Sequence, residues 1–377
     1  MKKTLLAAAL LTGFAGAASA QNSVTLYGVV SVGLEYQSLK GPNFSENQET
    51  KSNFKMDASE WNSSRWGLKG VEDLGNGLKA SFVYESGVNP TDGSSTGFTR
   101  QATIALASDS WGKVQFGRAV SPGTVAFSGI DPFGASFGTS SYTSSQSNSF
   151  VRYDNLMTYA TPNISGFNAI VGYSFNPGGE SNSETATFGT NNKNRVASLG
   201  ARYSNGPILL SGIFDYVYSN NENDGGVLVD NNTNIKTWAV GGAYDFKVAK
   251  IHASYGQTID GLFGATDDIQ NLLDDGGSAT ETDSYFFARG VRMQSWMVGL
   301  TAPVGSGMAM LSVQQARPGG DLGSLSGIAD QTTASVGYTY NLSKRTGVYG
   351  FYSYQKNAAM LDGATSNQVG VGVRHLF

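Results

Sequence analysis

The last eleven residues, Asn367 to Phe377, alternate in polarity almost without a break. Val369, Val371, Val373, His375 and Phe377 fall on one side of an extended chain, with Gln368, Gly370, Gly372 and Arg374 on the other. A period of two means a β-strand with one face against an apolar medium and one against water. The pattern recurs. Phe167, Ala169, Val171, Tyr173 and Phe175 oppose Asn168, Gly172 and Ser174; Val336, Tyr338, Tyr340 and Leu342 oppose Ser335, Gly337, Thr339 and Asn341. Trp238 to Phe246 and Leu78 to Tyr84 repeat it, and the aromatic residues at the strand ends fit rings at a lipid–water boundary.

The N-terminus says how the chain travels. Lys2 and Lys3 precede an apolar run from Leu5 to Ala18, and Ala18-Ser19-Ala20 is a small-x-small cleavage site. Residues 1–20 therefore read as a secretory signal cut between Ala20 and Gln21, which leaves 21–377 as a single domain. Downstream there is no run of about 18 apolar residues, so a membrane form of this chain crosses with strands. Without the leader the formal charge is −6, which argues against a nucleic-acid partner. The 49 glycines, many Tyr and Phe and few prolines suit strands and tight turns. With no cysteine, a large closed sheet has to supply the stability that disulfides give small exported domains.

Sixteen strands are predicted, at 24–37, 61–72, 78–88, 99–108, 113–118, 151–161, 166–176, 195–204, 207–219, 235–247, 249–259, 289–303, 307–317, 330–342, 344–356 and 366–377. The links alternate in length. Short turns such as Gly75-Asn76-Gly77 and Asn205-Gly206 contrast with long polar stretches at 38–60, 177–194, 220–234, 260–288 and 357–365. That asymmetry belongs to outer-membrane barrels, and an even strand number puts both termini on the short-turn side. The competing architecture, a secreted β-sandwich, would need two or three domains at this length and Lys and Glu on its outward faces. The polar faces here are mostly Gly, Ser, Asn and Thr, and no linker interrupts the chain.

From Ser63-Ser64-Arg65-Trp66-Gly67-Leu68-Lys69-Gly70-Val71-Glu72-Asp73-Leu74-Gly75-Asn76-Gly77-Leu78 the chain closely resembles the general porins of Gram-negative outer membranes, in their neisserial and β-proteobacterial branch. The resemblance continues through Trp111 to Arg118, Asp131-Pro132-Phe133-Gly134 and Asn155 to Pro162, and so to Phe377. It implies an all-β, 16-stranded antiparallel transmembrane barrel, a homotrimer set among outer-membrane lipid and lipopolysaccharide, and passive diffusion of small hydrophilic solutes and ions. It also implies a third extracellular loop, about 119–150, folded into the lumen as a constriction, and a terminal aromatic, Phe377, read by the barrel-assembly machinery.

By motif position the resemblance assigns Arg65, Arg100 and Arg152 to the basic wall of the constriction, Arg118 to the base of the loop, and Asp131 as the facing acid. Strand parity tests these independently. Arg65 passes, because Trp66 and Leu68 then face lipid; Arg152 passes with Tyr153, Met157 and Tyr159 on the lipid side. Arg100 shares parity with Ala102, Ile104 and Leu106 and needs a bulge or a position above the membrane band, and Arg118 has the same difficulty with Val114 and Phe116. Two or three wall arginines against one acid predict weak anion preference. Asp215 and Asp245 read as general lumen polarity, and the acid-rich stretch from Asp260 to Asp283 as a solvated loop without ordered calcium-ligand spacing. Only His252 and His375 are available for catalysis; His375 fits an aromatic belt and His252 the lumen wall. No metal cluster, phosphate-binding glycine loop or nucleophile elbow is present, so neither a cofactor nor an enzyme activity is predicted. Two other functions share the barrel. A sugar-type specific channel would carry an aromatic track on inward faces that here read as aromatic-poor, and an adhesin would work through its loops without conducting.

Overall fold

The predicted strands become the staves of one closed antiparallel barrel in the computed structural model, which describes residues 23–41, 50–58, 60–145, 152–177, 194–219, 233–263 and 285–377. In chain order the strands are β1 (Ser23–Lys40), β2 (Lys51–Asp57), β3 (Arg65–Gly75), β4 (Leu78–Gly87), β5 (Gln101–Ser108), β6 (Gly112–Val120), β7 (Arg152–Ala160), β8 (Phe167–Ser174) and β9 (Arg195–Asn205). They continue with β10 (Ile208–Tyr218), β11 (Ile235–Asp245), β12 (Lys250–Phe263), β13 (Tyr285–Val304), β14 (Gly307–Gly319), β15 (Gln331–Asn341), β16 (Thr346–Lys356) and β17 (Thr365–Leu376). From β3 onward each strand pairs with the next, and β17 returns to β1 through a register running from Lys40↔Thr365 to Val29↔Leu376.

Seventeen strands make sixteen staves because β2 and β3 are two pieces of one. β2 pairs with the upper half of β1, Gly33 to Leu39, and β3 with the lower half, Ser23 to Val29. Residues 58 and 60–64 leave the sheet between them. There Ser64 replaces a backbone rung, its Oγ accepting from the Ser31 amide at 2.9 Å and lying 2.9 Å from the Ser31 carbonyl. The stretch 38–60, expected as a loop, thus contains the end of β1 and all of β2. β12 and β13 also extend past their expected limits, across a bulge at Ile259–Gly261 where Asp260 adopts φ 63°. The leader with Ala20 and Gln21, residues 146–150 of the third loop, and Asp267, Asp268, Asp274, Asp275, Glu281 and Asp283 lie outside the described residues.

Polarity is inverted relative to a soluble protein. Val24, Leu26, Val30, Leu34 and Tyr36 on β1 and Val369, Val371, Val373 and Phe377 at the other end of the chain are exposed on the outside. Ser31, Glu35, Ser335, Ser353 and Gln368 are buried inside. Exterior aromatic pairs mark both rims: Tyr173–Phe175 (4.9 Å between ring centres) and Tyr216–Tyr218 (4.5 Å) toward the long loops, Tyr244–Phe246 (4.6 Å) at a short turn. Those rings suit the interfacial layers of a bilayer. The alternation on β17 stays in phase to its last residue, where the Phe377 amide donates to the Gly28 carbonyl and the Gly28 amide to the Phe377 carbonyl, each 3.1 Å. The Phe377 ring lies on Gly28, where a Cβ would collide with it. Gly28→Val is therefore expected to destabilise the barrel by about 1–3 kcal/mol through overpacking, seen as a lower midpoint for heat-induced unfolding in detergent; an unchanged midpoint would show that this ring plays no part in closure.

Candidate pore constriction

Four arginines from the part of the wall between β3 and β7 meet on one side of the lumen. Arg65, opposite Val29 on β1, points inward as parity requires, and its Nε lies 3.6 Å from Glu85 Oε2. Glu85 also receives Arg100 Nε at 2.8 Å and the Tyr27 hydroxyl at 3.0 Å, so one carboxylate is shared by two guanidinium groups. Arg100 escapes the parity conflict because β5 begins only at Gln101, with Arg100 in the turn before it. Arg118 escapes by a bulge. The register between β6 and β7 shifts between Gly117 (φ 116°) and Ala119, and Arg118 then reaches Asp154 with Nη1 at 2.6 Å and donates from Nε to the Thr99 carbonyl. Arg152 lies within electrostatic reach of Arg65, Arg100, Arg118 and Glu85. Among the described residues it forms no salt bridge, and its Nε is buried without a hydrogen-bond acceptor. Arg100, Arg118 and Arg152 line a cavity of about 820 Å3 together with Lys55, Ser63 and Thr99.

The same bulge corrects one expectation. Asn155 takes φ 48°, so residues on either side of it are out of phase. Met157 and Tyr159 face outward as predicted, but Tyr153 is fully buried inside, against Ala119, Val196, Val217 and Ile235.

The third loop occupies the opposite wall. After β6, Ser121 caps a short helix, α1 (Pro122–Phe127), its Oγ accepting from the Thr124 amide at 3.1 Å with Pro122 at the first helical position. From there the loop follows the inner wall past β8 to β15 along a line of small residues. A Cβ on Gly172 would meet Pro122; on Gly200, the Pro122 carbonyl; on Gly241, Phe127 and Ile130; on Gly299, Pro132; and on Gly337, Phe133, all closer than 3.0 Å. Hydrogen bonds hold it there. Ser211 Oγ donates to the Ala126 carbonyl at 2.7 Å, and His252 Nδ1 to that of Ile130 at 3.0 Å. Since a carbonyl only accepts, that ring nitrogen carries the proton, leaving Nε2 to accept from the Thr301 hydroxyl at 3.1 Å. Gln314 Nε2 reaches the carbonyls of Thr139, Ser140 and Ser141 at 3.0–3.3 Å, and Gln368 Oε1 takes the Thr139 amide and hydroxyl at 2.8 Å each.

Asp131 does not present its charge to the arginines. It lies on the far wall, but its carboxylate turns into its own loop and accepts from the amides of Phe133 (2.9 Å), Ala135 (2.8 Å) and Tyr142 (3.3 Å) and from the Ser141 hydroxyl (3.3 Å). Burial pushes this carboxyl up to about 6 against the pull of those four donors. An Asp followed by Pro-Phe-Gly-Ala is a turn former, and here the side chain is the turn's organiser.

Several contributors escape the motif reading. Glu85 shares the inward parity opposite to Tyr84 and Phe82, so alternation alone marks it. Arg374, also on the inward parity, stacks on Trp61 with its guanidinium 3.5 Å from the ring centre and donates to Asn62 at 2.9 Å. Inward aromatics do exist: Tyr349 and Phe351 are buried with Phe133 and Phe137 of the loop, with Trp61 packed alongside. They hold the loop and form no open track. Asp215 is fully buried in the lumen; Asp245 caps a short turn, accepting from the Lys247 amide at 2.7 Å; and His375 faces outward, bonded to the Thr346 hydroxyl at 2.9 Å.

A closed barrel of sixteen staves, apolar outside, polar inside, with a loop pinned across its lumen, defines a transmembrane diffusion pore. Residues 7–359 match the Gram-negative porin family, and the chain belongs to it. An outer membrane porin protein of Bordetella pertussis is 42% identical over the whole of both chains, and outer membrane porin protein 32 of Delftia acidovorans is 32% identical, again end to end. A major outer membrane protein P.IB of Neisseria gonorrhoeae is 29% identical over 55% of this chain and 59% of its own. Among solved structures, an anion-selective porin from Comamonas acidovorans superposes with a TM-score of 0.69 at 28% identity, covering 95% of this chain and all of its own. The chain is an outer-membrane porin, a passive channel through that membrane.

Asp131→Ala strips the acceptor from three backbone amides and a hydroxyl, at about 1–3 kcal/mol for each buried donor left unpaired. Single channels of this variant are expected to show more frequent brief changes of conductance while the sign of ion selectivity stays the same. A markedly stronger anion preference, the result of deleting a filter acid, would return Asp131 to the filter.

Proposed function

We propose that this porin passes small hydrophilic solutes and ions with a weak preference for anions, and that Arg65, Arg100, Arg118 and Arg152 set that preference. The observation that carries the reading is the charge count on one wall: four guanidinium groups share two carboxylates, Glu85 and Asp154, and Arg152 has neither. Arg374 adds a fifth positive charge near Arg65. A run of like charge on a pore wall raises the local concentration of counter-ions and selects by sign. The likeness to an anion-selective porin supports the same sign.

On this reading the chain works without catalysis. The leader is removed after Ala20, residues 21–377 form the single barrel domain, and Phe377 is the mark recognised during assembly. The functional unit is a homotrimer in contact with lipopolysaccharide, a reading supported by the trimeric form of OmpT of Vibrio cholerae among its structural neighbours.

A unit charge about 7 Å from a passing ion in a water-like medium acts with about 0.6 kcal/mol, a factor of about three in relative permeability. Removing two charges with Arg65→Ala and Arg152→Ala is expected to bring the anion-to-cation permeability ratio to unity or below. Zero-current potentials across a salt gradient measure it. A double variant with wild-type selectivity, or a wild-type channel that prefers cations even at high salt, would overturn the assignment.

A further inference from the structure

Glu35 on β1, Asp57 at the end of β2 and Glu60 in the segment between β2 and β3 each bring a carboxylate oxygen within 4.8 Å of the others. One ammonium answers them: Lys55 Nζ is 2.9 Å from Asp57 Oδ2 and 3.8 Å from Glu35 Oε1. Glu35 is 1% exposed and no N–H group or hydroxyl donates to either of its oxygens; Glu60 is 6% exposed, and its carboxyl lies against that of Glu35, where the two share a proton when no cation is bound. A buried carboxylate without donors is strongly unfavourable unless it takes up a proton or a cation coordinates it. With Lys55 counted, two negative charges remain, the complement of a divalent ion. The donors are all oxygen, which suits a hard cation, and three carboxylates able to bind through one or both oxygens suit the flexible six- to eight-fold shell of calcium better than the strict octahedron of magnesium.

The surroundings say what such an ion would hold. The Glu60 carbonyl accepts from the Phe137 amide at 2.6 Å, and Trp61 packs on Phe137 and Tyr349 with ring centres 6.3 and 5.9 Å apart. Residues 60–64 are thus the clasp on the tip of the in-folded loop. We propose that Glu35, Asp57 and Glu60 form a calcium-binding site that ties this clasp to the first two staves and so steadies the constriction loop. Lys55 and Asp57 border the cavity lined by Arg100, Arg118 and Arg152, but metal binding at the site does not depend on the sign of selectivity.

Terbium(III) is a suitable probe, because Trp61 adjoins Glu60 and would sensitise its emission. The full-length folded porin in detergent, stripped with chelator, is titrated with terbium while tryptophan is excited. Saturable emission is expected, displaced by calcium more readily than by magnesium. Glu35→Gln and Glu60→Gln should each weaken it by at least about tenfold, the lower end of what losing even a supporting group does to a metal site. Trp61→Phe should lose emission while equilibrium dialysis still shows calcium bound. Calcium should also raise the thermal midpoint of the wild type and not that of the Glu35→Gln, Glu60→Gln double variant. That variant, relieved of repulsion, should unfold in chelator no earlier than the wild type, which separates loss of the site from loss of the fold. Emission and calcium binding unchanged in the double variant, or no calcium bound by the wild type, would overturn the proposal.

Discussion

A sheet immersed in hydrocarbon has no water to satisfy a free edge, so every stave needs two neighbours. The ladder between β1 and β17, sealed by the mutual bonds of Gly28 and Phe377, is the joint on which the barrel depends. It brings together the two ends of the described chain. Closure at this circumference has a second consequence: the lumen is too wide for wall side chains to fill, and something must narrow it.

The narrowing element is held by a core that lies inside the pore. Phe127, Ile130 and Tyr142 of the loop are buried against Leu209, Ile213, Ala239 and Met297 of the wall, and Phe133 and Phe137 against Tyr349 and Phe351. Each large apolar side chain removed from water contributes about 1.5–3 kcal/mol, enough in sum to hold a segment with little regular structure. The glycines beneath it act by absence, since side chains there would lift the loop off the wall. Ser211, His252, Gln314 and Gln368 then supply hydrogen bonds to backbone groups that secondary structure would otherwise satisfy.

The barrel, its stave number and the orientation of Arg65 were legible because alternation is a local signal, repeated at every strand. What parity could not follow was any place where the backbone drops a residue. Arg118 read as out of phase and Tyr153 was placed on the lipid side for one reason, the irregular pairing at Gly117–Ala119 and Asn155, upstream of which β7 runs in the opposite phase. Arg100 was judged by the phase of a strand it precedes. β2 was hidden by a different cause: Phe54 and Met56 do alternate with polar residues, but the strand is only seven residues long and lies inside a polar stretch. The turn role of Asp131 was written in the Pro-Phe-Gly that follows it. A count of charges across the gap favoured the other reading.

Turning Asp131 inward alters how the constriction works. A transverse field needs opposite charges on opposite walls, yet the acids nearest the arginines, Glu85 and Asp154, share their wall and partly neutralise them in place. The loop opposite carries no Lys or Arg over 119–150, and its one acid is sealed by four donors. The lumen therefore lies between a basic face and a neutral one. Such an arrangement discriminates ions by sign while exerting less torque on a neutral dipolar solute than two opposed charged walls would, because the field falls off across the gap without an acid to sustain it. On the proposed reading selectivity depends on how far the loop stands from the arginines, and the loop is gripped where Phe137 meets Trp61 and Glu60. The segment that interrupts the second stave thus does two things at once: it presents Trp61 under Arg374 on the basic side and grips the loop on the neutral side. On that reading, one short departure from regular pairing sets the width across which the filter acts.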